Sequence, residues 1–239
     1  MTAGRQHIPQ PRAIRPDSHI IGIIASTRPT LMKQSILTRI QQLGGNIDGV
    51  MHTSLQDDIL AIEFGTVLYQ KPEDTPWLTS EDTEPIYGIG EYIEAHEALR
   101  QSDPEAFYAG MTAHYYRLTD EPRSQLFWRA GLFTPFREGT DDHAEWAADF
   151  EDLGVDLSEV EKVTGEARPD FIQIFYSYGY PDQLYLCLAD PDPDNPTLFG
   201  TDHEVFFQEV SNQGSFEDFL NRLMTPEELI AIVRKRLRD

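Results

Sequence analysis

Cysteine is almost absent from this sequence: Cys187 is the only one in 239 residues. An intramolecular disulfide and a multi-cysteine zinc site are therefore excluded. Cys187 sits inside an alternating apolar stretch, where it reads as a small buried side chain, and a reducing, cytoplasmic setting fits. Positive charge is the second scarcity, with 19 Lys and Arg against 41 Asp and Glu and a formal net charge of −22. Such a surface repels nucleic-acid phosphates and anionic lipid headgroups and draws basic partners in. Acidity of this size also keeps a chain in solution with no partner at all. Long apolar runs are missing too. Ile20-Ile21-Gly22-Ile23-Ile24-Ala25 is too short to span a bilayer and short even for a signal-peptide core, so no transmembrane segment is read. What remains is ample for a folded core, since 40% of the residues are hydrophobic and 11% aromatic, outside the composition of disordered chains.

Familiar catalytic patterns are missing as well. No serine lies in a nucleophile elbow, no H-E-x-x-H occurs, and the neighbours of Cys187 supply no positive charge to activate a thiolate. In the stretch Tyr87-Gly88-Ile89-Gly90-Glu91-Tyr92 no third glycine and no Lys-Ser/Thr follow, and a phosphate would meet Glu91. The loop Asp190-Pro191-Asp192-Pro193-Asp194-Asn195 opens like an EF-hand loop. It then places Asn195 where glycine is needed, Pro196 next, and Thr201 in place of the bidentate glutamate. On a strand, Asp202 and Glu204 would point one way and His203 the other, so these three are not expected to converge on an ion. His114 has no partner at helical ligand spacing. The expectation is no metal and no cofactor.

Met1 to Leu31 differs from the rest. Arg5, Arg12, Arg15 and Arg28 stand against Asp17 alone, a net +3 that leaves about −25 for the remaining chain. Pro9, Pro11, Pro16 and Pro29 oppose regular structure. Three readings fit: a flexible tail, a weak targeting segment, or an extension upstream of a natural start at Met32. Residues 32–239 read as one α+β domain. Deleting residues 1–31 is expected to leave the thermal midpoint nearly unchanged; a fall of more than several degrees would place the segment in the core.

From Met32 the pattern is helical, with Ile36, Leu37, Ile40 and Leu43 on one face and Gly44-Gly45 as the stop. Residues 59–69 read as a strand, and residues 70–85 as an acidic, proline-punctuated loop around Trp77. Asp103 caps a helix with Pro104 at its first position and a stripe of Phe107, Met111, Tyr115 and Leu118. Residues 126–136 form an apolar run expected to be buried. Asp141 and Asp142 open a helix that turns His143, Trp146, Phe150 and Leu153 to one face and ends at Gly154. That helix also carries Glu145, Asp149, Glu151 and Asp152, a strongly negative face either solvated or turned to a basic partner.

The densest run of aromatic and β-branched residues lies between Asp170 and Leu223. A first strand over 171–178 places Ile172, Ile174, Tyr176 and Tyr178 opposite Phe171, Gln173, Phe175 and Ser177. After a turn at Gly179-Tyr180-Pro181-Asp182, Leu184, Leu186 and Leu188 alternate with Tyr185, Cys187 and Ala189. A third strand is read around Glu204 to Val210, beyond the acidic loop 190–196. The expected assembly is an antiparallel-rich sheet with one face against helices. Ser215 and Thr225 cap two closing helices, the second with Pro226 and Glu228 completing its box. Arg234, Lys235, Arg236 and Arg238 crowd its last turn, where cations complement the helix dipole.

The succession LYLCLADPDPD, TDHEVFFQEV and SFEDFLNRL resembles the SUKH superfamily, over roughly residues 157–223. The family's closing helix start matches Ser215, Phe216, Glu217, Phe219 and Leu220. Its upstream helix start would fall at Arg168-Pro169-Asp170-Phe171, where periodicity reads a strand instead. The family includes a fungal cell-wall-synthesis regulator and many bacterial immunity proteins to secreted toxins. The resemblance implies a SUKH-like α+β fold and a cytoplasmic, non-enzymatic protein that binds and neutralises a basic toxin domain, such as a nuclease. Asp190, Asp192 and Asp194 on the stiff loop, with Asp202 and Glu204 beyond it, are the first candidates for the partner-binding acids, and Asp141 and Asp142 the second. A non-catalytic scaffold and a hydrolase built on carboxylates from separate segments are the alternatives.

Overall fold

A computed structural model of the chain describes residues 32–72, 84–119, 121, 123–177 and 182–237. The expectations for residues 1–31, for the loop around Trp77 and for Tyr178 to Pro181 fall outside the described residues. The chain runs α1 (Gln34–Gln42), β1 (Gly45–Asn46), α2 (Leu55–Leu60), β2 (Glu63–Phe64) and β3 (Tyr69–Gln70). It continues with α3 (Ile89–Ala95), α4 (Glu97–Ser102), α5 (Pro104–Tyr115), β4 (Leu126–Phe133), α6 (Asp141–Leu153) and α7 (Ser158–Thr164). Then come β5 (Phe171–Ser177), β6 (Gln183–Cys187), β7 (Thr197–Thr201), β8 (Ser211–Ser215), α8 (Phe216–Arg222), β9 (Leu223–Met224) and α9 (Pro226–Arg236).

The fold is α+β. Strands β4 to β8 form an antiparallel five-stranded sheet in sequence order, a meander. Both faces of this sheet are covered, where the sequence promised cover on one. Strand alternation explains how: Leu184, Leu186 and Leu188 of the β6 segment point to a core shared with Ile36, Ile40, Phe216 and Leu220 of α1 and α8. Tyr185, Cys187 and Ala189 point the opposite way, to Phe150, Leu157 and Val160 of the α6–α7 side. Burial pushes the Cys187 thiol up to about 11, so it packs as an inert apolar group. In β5 the expected alternation breaks at a bulge between Gln173 and Phe175. The extra residue puts Ile174 and Phe175 into the same core, while Phe171 packs on the other side.

The third strand lies earlier than its apolar run indicated. It is Thr197–Thr201, while 204–210 forms turns. Side chains decide this. Asp202 Oδ1 accepts from the Glu204 amide at 2.7 Å, and Thr201 Oγ1 accepts from the Phe207 amide at 2.9 Å, which takes the backbone out of any ladder. Phe207 is left in a left-handed conformation at φ 57°, its ring fully enclosed. The edge strand β8 has a polar sequence without alternation, and its side chains are mostly exposed.

The strand read over 59–69 is also replaced. Ser54 accepts from the Asp57 amide and caps α2, which runs through Leu60 before two-residue strands β2 and β3. Leu118 lies beyond the end of α5 and is exposed, whereas Tyr108, which is not part of that stripe, is buried. The run 126–136 is half-buried along β4, with Leu132 exposed. The capping box at Thr225 and Glu228 is present, and the C-terminal helices bury Phe216, Phe219, Leu220, Leu229 and Val233. At Gly88, φ is 80°, and its amide and that of Gly90 donate to the Glu84 carboxylate at 2.7 and 2.8 Å. The chain's own acid takes the place a phosphate would have sought. Among the described residues no helix is long and apolar enough to cross a membrane.

Candidate functional site

The seven acids singled out by sequence do not form one surface. Asp190 is buried, and its carboxylate accepts from the amides of Asp192 and Thr197, both at 2.8 Å. Asp192 and Asp194 are exposed, as expected for the loop. The loop itself is a structural junction. The Asp194 carbonyl accepts from the Lys33 amide at the start of α1, and the Pro196 carbonyl and Asn195 side chain accept from the Phe216 and Glu217 amides at the start of α8. Of the three loop acids offered as partner-binding candidates, Asp190 is therefore turned inward and serves the fold. Asp190→Ala is expected to lower stability by about 1–3 kcal/mol, because two amides lose a charged acceptor at a buried position. Asp192→Asn and Asp194→Asn should each stay within about 0.5 kcal/mol, as surface changes do. Urea unfolding of the three variants checks both statements.

Asp202 and Glu204 follow the far end of β7 and are exposed. Since β7 lies between them and Asp190, the two groups of acids are separated by the length of the strand. The strand geometry that kept Asp202 and His203 apart does not apply, because they stand in a turn. Ligand atoms of Asp182, Asp202 and His203 lie within 4.8 Å of one another. His203 Nδ1 is 3.1 Å from Asp182 Oδ1 and 3.4 Å from Asp202 Oδ1. The imidazole thus bridges the two carboxylates, and sequence reasoning missed Asp182 as its partner. Exhaustive chelation is expected to leave the melting curve unchanged; a stoichiometric metal retained through purification would make these three residues its ligands.

The densest negative charge is elsewhere. Between Glu138 and Glu166 the chain carries eleven carboxylates and one lysine, Lys162, which pairs with Glu159. On α6, Asp141, Glu145, Asp149 and Asp152 follow one another at helical spacing and all are exposed. None has an ion pair among the described residues. Like charges four apart on a helix repel, and the acids of the last turn oppose the helix dipole, where α6 has no basic residue at all. The contrast is α9, with acids in its first turn and cations in its last. Asp142 behaves differently from its neighbour. Its carboxylate accepts from the Thr134 amide at 2.7 Å and the Thr134 hydroxyl at 3.0 Å, tying α6 to the end of β4. Leu153, expected on the core face, is 64% exposed at the end of this acidic helix.

Beside the acidic stripe, α6, α7 and the segment after β4 enclose a groove of about 600 Å³. Phe136, Phe150, Val155 and Leu157 give it an apolar floor. Glu151, Asp156 and Glu161 stand on its walls, with Arg168 at the edge. The Ser158 amide donates to Asp156 at 2.9 Å and holds that carboxyl below its usual range. Below the floor, Phe207 packs on Phe150, Phe171, Tyr185 and Phe133 with ring centroids 5.2 to 5.5 Å apart. Its carbonyl accepts from the Asp156 amide at 3.1 Å. The density of acids from 138 to 166 was legible in sequence. That Phe136, Asp156, Glu161 and Arg168 share a groove was not, because they come from separate segments. No family model, no curated protein and no solved structure matches the chain.

Proposed function

We propose that this is a SUKH-like, immunity-type protein that binds a basic toxin domain through the α6–α7 face and blocks it without catalysis. One observation carries the reading: α6 holds four exposed acids at helical spacing that make no ion pair among the described residues. Like-charge spacing and the unfavourable dipole make the free helix less stable than a mixed one. A cationic partner relieves that repulsion, and a negative face next to a groove that Phe136 and Phe150 help to line provides both long-range attraction and an aromatic anchor. The binding surface thus moves from the Asp190 loop, which is committed to α1 and α8, to the helix bearing Asp141. Asp192 and Asp194 remain as flanking charge. The test is growth rescue. The protein is co-expressed with each basic toxin domain encoded at its own locus. Rescue with a stable complex supports the reading, and failure of both for every such domain rejects it.

A further inference from the structure

We propose that the α6–α7 groove receives an arginine side chain of the basic partner, and that the chain's own Arg168 occupies the edge of this receptor in the free protein. The proposal rests on the partner-binding reading and adds the chemistry of the anchor. A guanidinium is recognised by a flat aromatic face and by carboxylates that accept its parallel N–H groups. The groove has both. Phe136 is half-buried, so one part of its ring stays open to the groove. Glu151 and Glu161 are exposed on the walls, and neither carboxylate has a hydrogen bond or ion pair among the described residues.

Arg168 shows that the ring tolerates such a guest. Its guanidinium carbon lies 5.9 Å from the Phe136 centroid, and Arg168 makes no ion pair among the described residues. It is exposed, and this contact lies at the long end of the range for cation–π attraction. Phe136 and Phe150 pack on each other at 5.6 Å, so a partner's arginine takes the open face of Phe136 in place of Arg168, in the groove that Glu151 and Glu161 also line. It would then outcompete Arg168, whose charge also repels it. Lysine is the poorer guest, because a point charge cannot stack on the ring and bind two acceptors in one plane.

The experiment titrates the full chain at low salt with two acetylated, amidated peptides, Gly-Arg-Gly-Arg-Gly and its lysine counterpart, by calorimetry. The arginine peptide is expected to bind more tightly. Glu151→Gln with Glu161→Gln should weaken it about tenfold, a loss of about 1.4 kcal/mol. Arg168→Ala should strengthen it by about threefold, the opposite sign from what loss of a structural residue would give. Melting curves verify that each variant is folded, and Glu151→Gln alone serves if the pair is not. Equal affinity for the two peptides, or no gain in Arg168→Ala, overturns the arginine receptor. In that event, weaker binding of both peptides to a variant neutralised at Asp141, Glu145, Asp149 and Asp152 would leave the acidic face intact. Absence of binding by either peptide overturns the receptor and the acidic face together.

Discussion

Phe207→Ala is expected to cost about 3–5 kcal/mol, the range for emptying a phenylalanine site in a packed core. The ring is 1% exposed and stands among Phe133, Phe150, Phe171, Tyr185 and Phe206, so no neighbour is free to collapse into the space without leaving its own contacts. For a chain of this size the thermal midpoint should fall by about 10 °C. The damage should also reach the groove, because the Phe207 carbonyl holds the Asp156 amide and the ring supports Phe150. Phe206→Ala, at a half-buried neighbour, should cost less than half as much. Equal losses at the two positions would show that the enclosed ring is not the centre of this cluster. Denaturant unfolding followed by Trp fluorescence separates them.

Neutralising the stripe on α6, with Asp141→Asn, Glu145→Gln, Asp149→Asn and Asp152→Asn together, should slow association with the basic partner about tenfold or more at low salt. Most of the salt dependence should vanish, since long-range attraction between exposed charges is what added salt screens. Dissociation should change little, because these acids lie outside the groove. Stability should change little, because relief of the repulsion between acids and of the unfavourable charge at Asp152 is offset by loss of the charge at Asp141, which favours the first turn of the helix. Asp192→Asn with Asp194→Asn is the control and should slow association much less. Stopped-flow traces at two ionic strengths read all of these. An unchanged rate in the stripe variant beside a slowed loop variant would return the binding face to the Asp190 loop.

The fold was legible wherever one local rule acted alone. The alternation of Leu184, Leu186 and Leu188 with Tyr185, Cys187 and Ala189 describes β6 correctly because no bulge interrupts it, and the resulting two faces are both buried. The Thr225–Glu228 capping box, the Asp103 cap and the stops at Gly44 and Gly154 were readable for the same reason. Reading failed where side chains compete with the ladder. Val205, Phe206 and Phe207 look like strand, yet Thr201 and Asp202 capture the amides that a strand would have used. It failed again at Ser211–Ser215, a strand defined by pairing with β7 and not by its own composition. For the site, charge density from Glu138 to Glu166 was visible as composition, whereas the inward turn of Asp190 depended on where the loop meets Thr197. The groove was invisible because Phe136, Phe150, Glu161 and Arg168 become neighbours only on folding.

The central claim is that the α6–α7 face meets a basic protein, and amide hydrogen exchange of the free and complexed protein tests it most directly. Binding is expected to slow exchange in residues 141–161 and in the 134–140 segment that closes the groove, with the Asp190 loop changed little. Protection confined to the β8 edge, to α9 or to residues 190–196, with α6 and α7 exchanging as in the free protein, would contradict it.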